Sequence, residues 1–232
     1  YLYERRDGKS FAVNTGVAAA RGAIIAFTDD DVVVDKNWLE SLVEEFSRDR
    51  EVGLLAGRVE IAGEAGEAVA VTRSLKEKAL MPQESLDGLI LGCNLAVRRE
   101  VLERVQSRDT RLGPGRGLSC EDIDFAYRVL RAGFRGRFSP RPVVYHSPGL
   151  RNRSTEYLRG WGAFYLKYLL QGDTLIVRKA WWEIRRILRD LRTSPGSSSL
   201  NELWQMLIGA LIMAQRISLS LLHRDPAKAP AI

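Results

Sequence analysis

Two rhythms of apolar and polar positions run along this chain. Residues 10–22, SFAVNTGVAAARG, are Ala-rich and close on Gly22, which predicts a helix and its stop. The apolar run Ile24, Ile25, Ala26, Phe27 is too short for a helix and is bounded by Gly22 and three acids, so it reads as a buried strand. A second helix is expected after Asp35 or Asn37, either of which can cap it, with Trp38, Leu39, Leu42, Val43 and Phe46 on one face. Strands are expected over 52–61 and 89–97, and helices over 99–105 and 121–132, the latter stopped by Gly133. Short extended pieces at 134–138 and 143–145 surround Pro140 and Pro142. Residues 62–88 read as Gly- and Glu-rich, then helical, then loop, and 107–119 read as a loop free to move. Helix, strand and then acids at the strand's carboxyl end is the order of an α/β domain.

After Pro148 the rhythm becomes helical, over 154–171, 178–192 and 202–222, with SPGSSS at 194–199 as a flexible break. This predicts a catalytic-type α/β domain over 1–150 and a helical region over 151–232. The stretch 203–222 would make about 30 Å of helix, near the thickness of a bilayer core. Gln205, Gly209, Arg216 and Ser220 share one narrow stripe of it, which favours lying at an interface over spanning lipid. Upstream, 178–192 is basic and amphipathic, with Trp181, Ile184, Leu188 and Leu191 together. Tryptophans beside arginines suit a headgroup region, so peripheral membrane contact through 178–222 is expected. Docking on the α/β domain and a dimer contact are the alternatives.

Composition changes little in this picture. The 232 residues carry 35 basic and 29 acidic side chains, a net charge of +6, and ten Lys or Arg against four Asp or Glu fall between Arg151 and Arg192. The excess therefore concentrates in the helical region and suits an acidic surface. Cys93 and Cys120 form neither a CxxC nor a metal cluster, which points to a reducing compartment. The chain opens at Tyr1 as though within a domain, and no signal peptide is recognised.

Three groups of residues carry chemistry. Asp29-Asp30-Asp31 at the end of an apolar strand repel one another unless a cation offsets them. Strand alternation would put Asp29 and Asp31 on one side, a pairing suited to Mg²⁺ or Mn²⁺. An acidic turn before a helix is the plainer reading. Glu121 and Asp122 open a predicted helix, where acids suit the dipole and where a carboxylate can also act as a general base. His146 ends PVVYH and can ligate a metal or contact a phosphate, or simply pack. His223 is assigned no role.

Taken together, GKSFAVNTGVAAARGAIIAFTDDDVVVDKNWLESL (8–42), LGCNLAVRREVL (91–102) and GPGRGLSCEDIDFAYRVLRAGFRGRFSPRPVVYH (113–146) resemble the family-2 glycosyltransferases over about two-thirds of the chain. The resemblance implies a GT-A-like, Rossmann-like mixed central sheet flanked by helices, with the helical region as a C-terminal appendage and the family's N-terminal strand missing. It implies a hexosyltransferase-type enzyme that uses a UDP- or GDP-sugar, a divalent cation (Mg or Mn) and a glycan or lipid-linked acceptor, with inversion. On this resemblance Asp29 and Asp31 match the DxD and Asp30 its middle position, often facing the ribose. Asp122 matches the general base, supported by Glu121. His146 matches a metal- or diphosphate-assisting position. Lys9 and Asn14 lie in the donor segment, and Gly92, Cys93 and Asn94 where relatives shape the sugar and acceptor pocket. The expected location is cytoplasmic, at the inner face of the membrane, and no nucleic-acid module is recognised. A nucleotidyltransferase making nucleotide sugars and an inactive scaffold of the same fold are the competing readings.

Overall fold

A computed structural model describes residues 1–62, 71–72, 74–84, 86–146, 154–193 and 197–222. It divides into two compact units, one of residues 1–110 and 121–154, the other of 111–120 and 155–232.

The first unit is a mixed, curled sheet flanked by helices. Its strands are β1 (Ile24–Phe27), β2 (Val32–Val34), β3 (Val52–Ile61), β4 (Lys78–Leu80), β5 (Leu95–Arg98) and β6 (Arg135–His146). They run in the order β1-β5-β3-β6-β2, with β4 also paired to β6. Among the described residues only β3 and β6 pair in parallel. β1 and β2 stand at opposite ends of this order, yet five residue steps join Phe27 to Val32. Those steps reach at most about 18 Å, while four strand spacings need about 19 Å on a flat sheet. The sheet has to curl, and the acids 29–31 lie on the short path across its end.

Helix α1 (Lys9–Ala19) precedes β1, and α2 (Trp38–Arg48) packs Trp38, Leu42 and Phe46 onto Val52, Leu55, Val59 and Val144. Their spacing of four puts these three on one stripe of the helix. Leu39 and Val43, expected on that stripe, are exposed instead. Neither expected cap bonds the first turn of α2 through its side chain: the Asp35 carboxylate accepts the Asn37 N–H at 2.9 Å, and Asn37, the N-cap residue, makes no side-chain capping bond. Helices α3 (Arg99–Arg104) and α4 (Glu121–Arg131) follow, and Gly133 at φ 88° ends α4 in the left-handed conformation that glycine adopts freely.

Three expectations change. The strand expected over 89–97 is a 3-10 turn at Gly92–Asn94 and then β5. Within 62–88 the described residues hold β4, whereas 63–70, 73 and 85 lie outside the described residues. The two pieces around Pro140 form one strand, β6, whose register against β3 slips between Phe138 and Val143. Proline has no N–H for a ladder, so Pro140 and Pro142 occupy that bulge.

The second unit holds α5 (Ser154–Leu169), α6 (Thr174–Thr193) and α7 (Ser197–Leu222). The segment 111–120 packs with these helices: a bridge joins Gly113 to Leu118, and Leu112 and Leu118 are buried with Ala163 and Met213. Periodicity gave no sign of this, because the segment has two apolar anchors and no repeat. The stripe Gln205, Gly209, Arg216 is an internal docking face. Arg159 donates to the Gln205 amide oxygen at 2.8 Å, and Arg216 donates to the carbonyls of Arg111 and Arg116. A Cβ at Gly209 would strike the main chain of Arg159, and one at Gly162 that of Met206, so glycine sets the close approach of α5 and α7. Residues 194–196 of the expected break and His223 lie outside the described residues.

Candidate active site

The site is built within the first unit. Lys9, the first residue of α1, places Nζ 2.6 Å from Asp29 Oδ1 and 2.8 Å from Oδ2. Burial works against the Lys9 ammonium, but the charges of Asp29, Glu121 and Asp122 outweigh it and hold its pKa above the usual value. β1 stops at Phe27, and Asp30–Asp31 form a turn, so strand alternation does not govern these acids. Asp29 faces Lys9. Asp31 faces His146, with Oδ1 3.6 Å from Nε2, because β2 pairs Val32 with His146. Asp30 is exposed.

Opposite stands the start of α4. Asp122 Oδ2 accepts the Gly92 N–H at 2.9 Å, and Oδ1 accepts the Ile123 N–H at 2.8 Å. Each oxygen keeps a lone pair for a further proton. Gly92 approaches so closely that a Cβ there would lie 3.4 Å from Asp122 Cβ and Oδ2. Glu121 is buried, and that burial, reinforced by the neighbouring Asp122 charge, lifts its pKa to about 7 against the pull of Lys9 and Arg108. Cys93 feels both sides of the site. Burial first, then the charges of Asp29 and Asp122, push its thiol up to about 12, so it stays protonated and is no nucleophile.

Asn94 is committed elsewhere. Its Oδ1 accepts the Trp38 indole N–H at 2.9 Å, and its Nδ2 donates to the carbonyls of Arg58 at 2.8 Å and Pro142 at 3.0 Å. It fills the hydrogen-bonding gap that the β6 bulge opens. Asn14 is also committed: it donates to the Arg108 carbonyl at 2.9 Å and accepts the Arg108 N–H at 2.7 Å. Of the expected site residues, the structure thus brings together Lys9, Asp29, Gly92, Cys93, Glu121 and Asp122 in one group and Asp31 with His146 in another.

Sequence reasoning missed Arg108. Its guanidinium is buried between the rings of Phe27 and Phe125, at 4.7 and 4.5 Å from their centroids, and its Nη1 has no hydrogen-bond partner. Desolvation lowers its pKa, opposed by the charges of Glu121 and Asp122. Arg128, paired with buried Asp124 at 2.9 Å, also donates to the carbonyls of Gln106 and Ser107 and fixes this segment on α4. Nothing local marks Arg108, since both rings are distant in sequence.

Among the described residues no three His, Cys, Asp or Glu side chains converge on one point. Asp31 with His146 nevertheless fits a divalent cation of the Mg²⁺ or Mn²⁺ class. An exposed carboxylate beside an imidazole is an oxygen-and-nitrogen pair, and such ions commonly take one or two protein ligands and complete their shell with water and phosphate.

The family model described as "Glycosyl transferase family 2" matches residues 1–106. Over that stretch the chain is similar to that family. The chain is 30% identical over 147 residues to a "Pre-mycofactocin glycosyltransferase" of Mycobacterium tuberculosis, covering 60% of this chain and 30% of the relative. It is 29% identical over 149 residues to "Glycosyltransferase AglE" of Haloferax volcanii, covering 62% of this chain and 46% of the relative. The chain thus spans less than half the length of either relative. Among solved structures it is similar to GalNAc-T7, crystallised with UDP, GalNAc and Mn²⁺, at TM-score 0.52 and 18% identity over 71% of this chain and 35% of that one. That likeness gives the GT-A fold. The family match ends before Glu121.

Proposed function

We propose that this chain is a family-2 glycosyltransferase domain that transfers a sugar from a nucleoside-diphosphate sugar, UDP- or GDP-linked, to an acceptor hydroxyl, with inversion and with Asp122 as general base. One observation carries this reading: Asp122, oriented by two main-chain amides, shares its electrostatic surroundings with the Lys9–Asp29 pair, and Cys93 senses both.

In the proposed step Asp122 takes the acceptor proton as the hydroxyl oxygen bonds to the anomeric carbon. The bond from that carbon to the diphosphate breaks, and its electron pair leaves on the nucleoside diphosphate. Glu121 holds a proton to about pH 7, which limits the charge beside Asp122. Lys9 offers a half-buried cation on the side of Asp29, suited to an anionic donor. Asp31 and His146 would hold a divalent ion with Asp30 toward the ribose, whereas the expected share of Asp29 in that ion is taken by its pair with Lys9. Such an ion, when bound, offsets the negative charge that accumulates on the diphosphate. Asn14 serves the donor side through Arg108, Gly92 and Cys93 line the acceptor side, and Asn94 supports them from below. A glycan or lipid-linked acceptor and a location on the inner face of a membrane belong to the same reading, supported by the exposed apolar helices of the second unit.

Calorimetric titration with UDP and then GDP, each with and without Mn²⁺, tests the donor half. Metal-dependent binding of one nucleotide, weakened in Asp31→Ala, is expected. Binding that ignores both Mn²⁺ and Asp31 would remove these residues from the donor site.

A further inference from the structure

The second unit exposes a face that the reaction does not use. On α6, from Val177 to Arg192, the exposed residues are five apolar side chains, led by Trp181 (56% exposed) and Trp182 (68%), and the arginines Arg178, Arg185, Arg189 and Arg192. None is acidic. The acids of this stretch, Glu183 and Asp190, are turned away and tied to Arg186, which also pairs with Glu202 of α7. Charge is therefore sorted around the helix: paired acids and Arg186 on one side, exposed arginines among apolar side chains on the other. Arg185 lies over the Trp181 ring at 5.5 Å, so aromatic and cation share one surface. On α7, Leu200, Trp204, Leu207 and Leu211 recur at helical spacing and are exposed, and no exposed residue from Ser198 to Ser220 is charged.

We infer that the exposed face of α6 is a docking surface for an anionic lipid bilayer, with the tryptophans at headgroup depth and the arginines on lipid phosphates. Charge selects this occupant. A second copy of the same face would set arginines against arginines, and an anionic surface complements them where a neutral one does not. The amphipathic pattern favours a helix lying along the surface. α7 is long and apolar enough to cross a membrane. However, crossing would draw Arg216 from the two carbonyls it bonds and open the glycine contact with α5. The inference is independent of the proposed sugar transfer, and its test needs no activity.

The experiment is flotation of the purified full chain with vesicles of phosphatidylcholine alone or with about one-quarter phosphatidylglycerol, read together with tryptophan emission. Association with the anionic vesicles only, with a blue shift, is expected. Each arginine near such a surface contributes about fivefold, so Arg178→Gln with Arg185→Gln should weaken association about thirtyfold. Trp181→Ala with Trp182→Ala should remove most of the blue shift. Both pairs are exposed, and unchanged circular dichroism controls for folding. Equal binding to neutral vesicles, no binding to either, or no effect of the arginine pair would overturn the inference. So would arginine-dependent capture of a single-stranded RNA probe without vesicle binding, which would reassign the face.

Discussion

Asn94 offers the sharpest test of how the site is built, because its side chain is fully engaged in the wall beneath it. Asn94→Ala would strand three buried or part-buried groups together: the Trp38 indole N–H and the carbonyls of Arg58 and Pro142. A buried polar group left without a partner costs about 1–3 kcal/mol, so the loss should be roughly 3–9 kcal/mol. That is a large share of the roughly 5–15 kcal/mol that stabilises a typical domain. Water cannot easily enter, because Asn94 is 1% exposed and a Cβ on Gly57 would already collide with it. Urea unfolding followed by far-ultraviolet circular dichroism gives the difference directly. A residue that only lined a sugar pocket would change substrate affinity and leave the urea midpoint alone. A stability loss below about 1 kcal/mol, the size of an ordinary exposed hydrogen bond, would refute the reasoning.

The remaining predictions concern the reacting groups and one helix contact. Asp122→Asn should lower transfer by about 10²–10⁴-fold while leaving metal-dependent nucleotide binding intact, as assayed by nucleoside-diphosphate release and by calorimetry. Glu121 keeps its proton to about pH 7 in the fold, above its ordinary value of 4.5, so the folded state binds more protons across that window. Stability should therefore fall as pH rises from about 4.5 to 7, by up to about 3 kcal/mol, and level off above. In Glu121→Gln that slope should vanish from the urea midpoints. Arg108→Met should fold with a stability change within about 2 kcal/mol, since a buried, partly unpartnered cation is replaced by an apolar chain, and should move the acidic limb of the pH–rate profile upward. Gly209→Ala would raise stability by about 1 kcal/mol if helix propensity alone decided. The clash with Arg159 predicts a loss of about 1–3 kcal/mol in thermal unfolding instead.

Local patterns revealed much of this molecule. Strand Val52–Ile61 and the helix ended by Gly133 follow from an apolar run and from a left-handed stop. The acids at 29–31 stood out because clustered carboxylates at the end of an apolar strand are costly, and those at 121–122 because they open a helix after a Gly-rich loop. What stayed hidden depended on distant partners. Gly92–Asn94 breaks an apparent strand because its groups answer Asp122 and the β6 bulge. Leu39 and Val43 fit the period of α2 and face outward, since one sheet surface covers only a narrow stripe. Arg108 and Asn14 find each other through the backbone, which no residue spacing encodes.

The anchoring of Asp122 has a consequence for engineering. Both of its orienting partners are peptide N–H groups, at Gly92 and Ile123, rather than side chains. Substituting Ile123, or placing any residue but proline at 92, leaves the amide in place, so a conventional scan of neighbouring side chains would register no orienting residue at all. Specificity could be redesigned around this carboxylate over many rounds without disturbing its aim, provided the chain keeps its path through position 92. There a side chain has to fit at 3.4 Å, and the conserved quantity is the path of the chain.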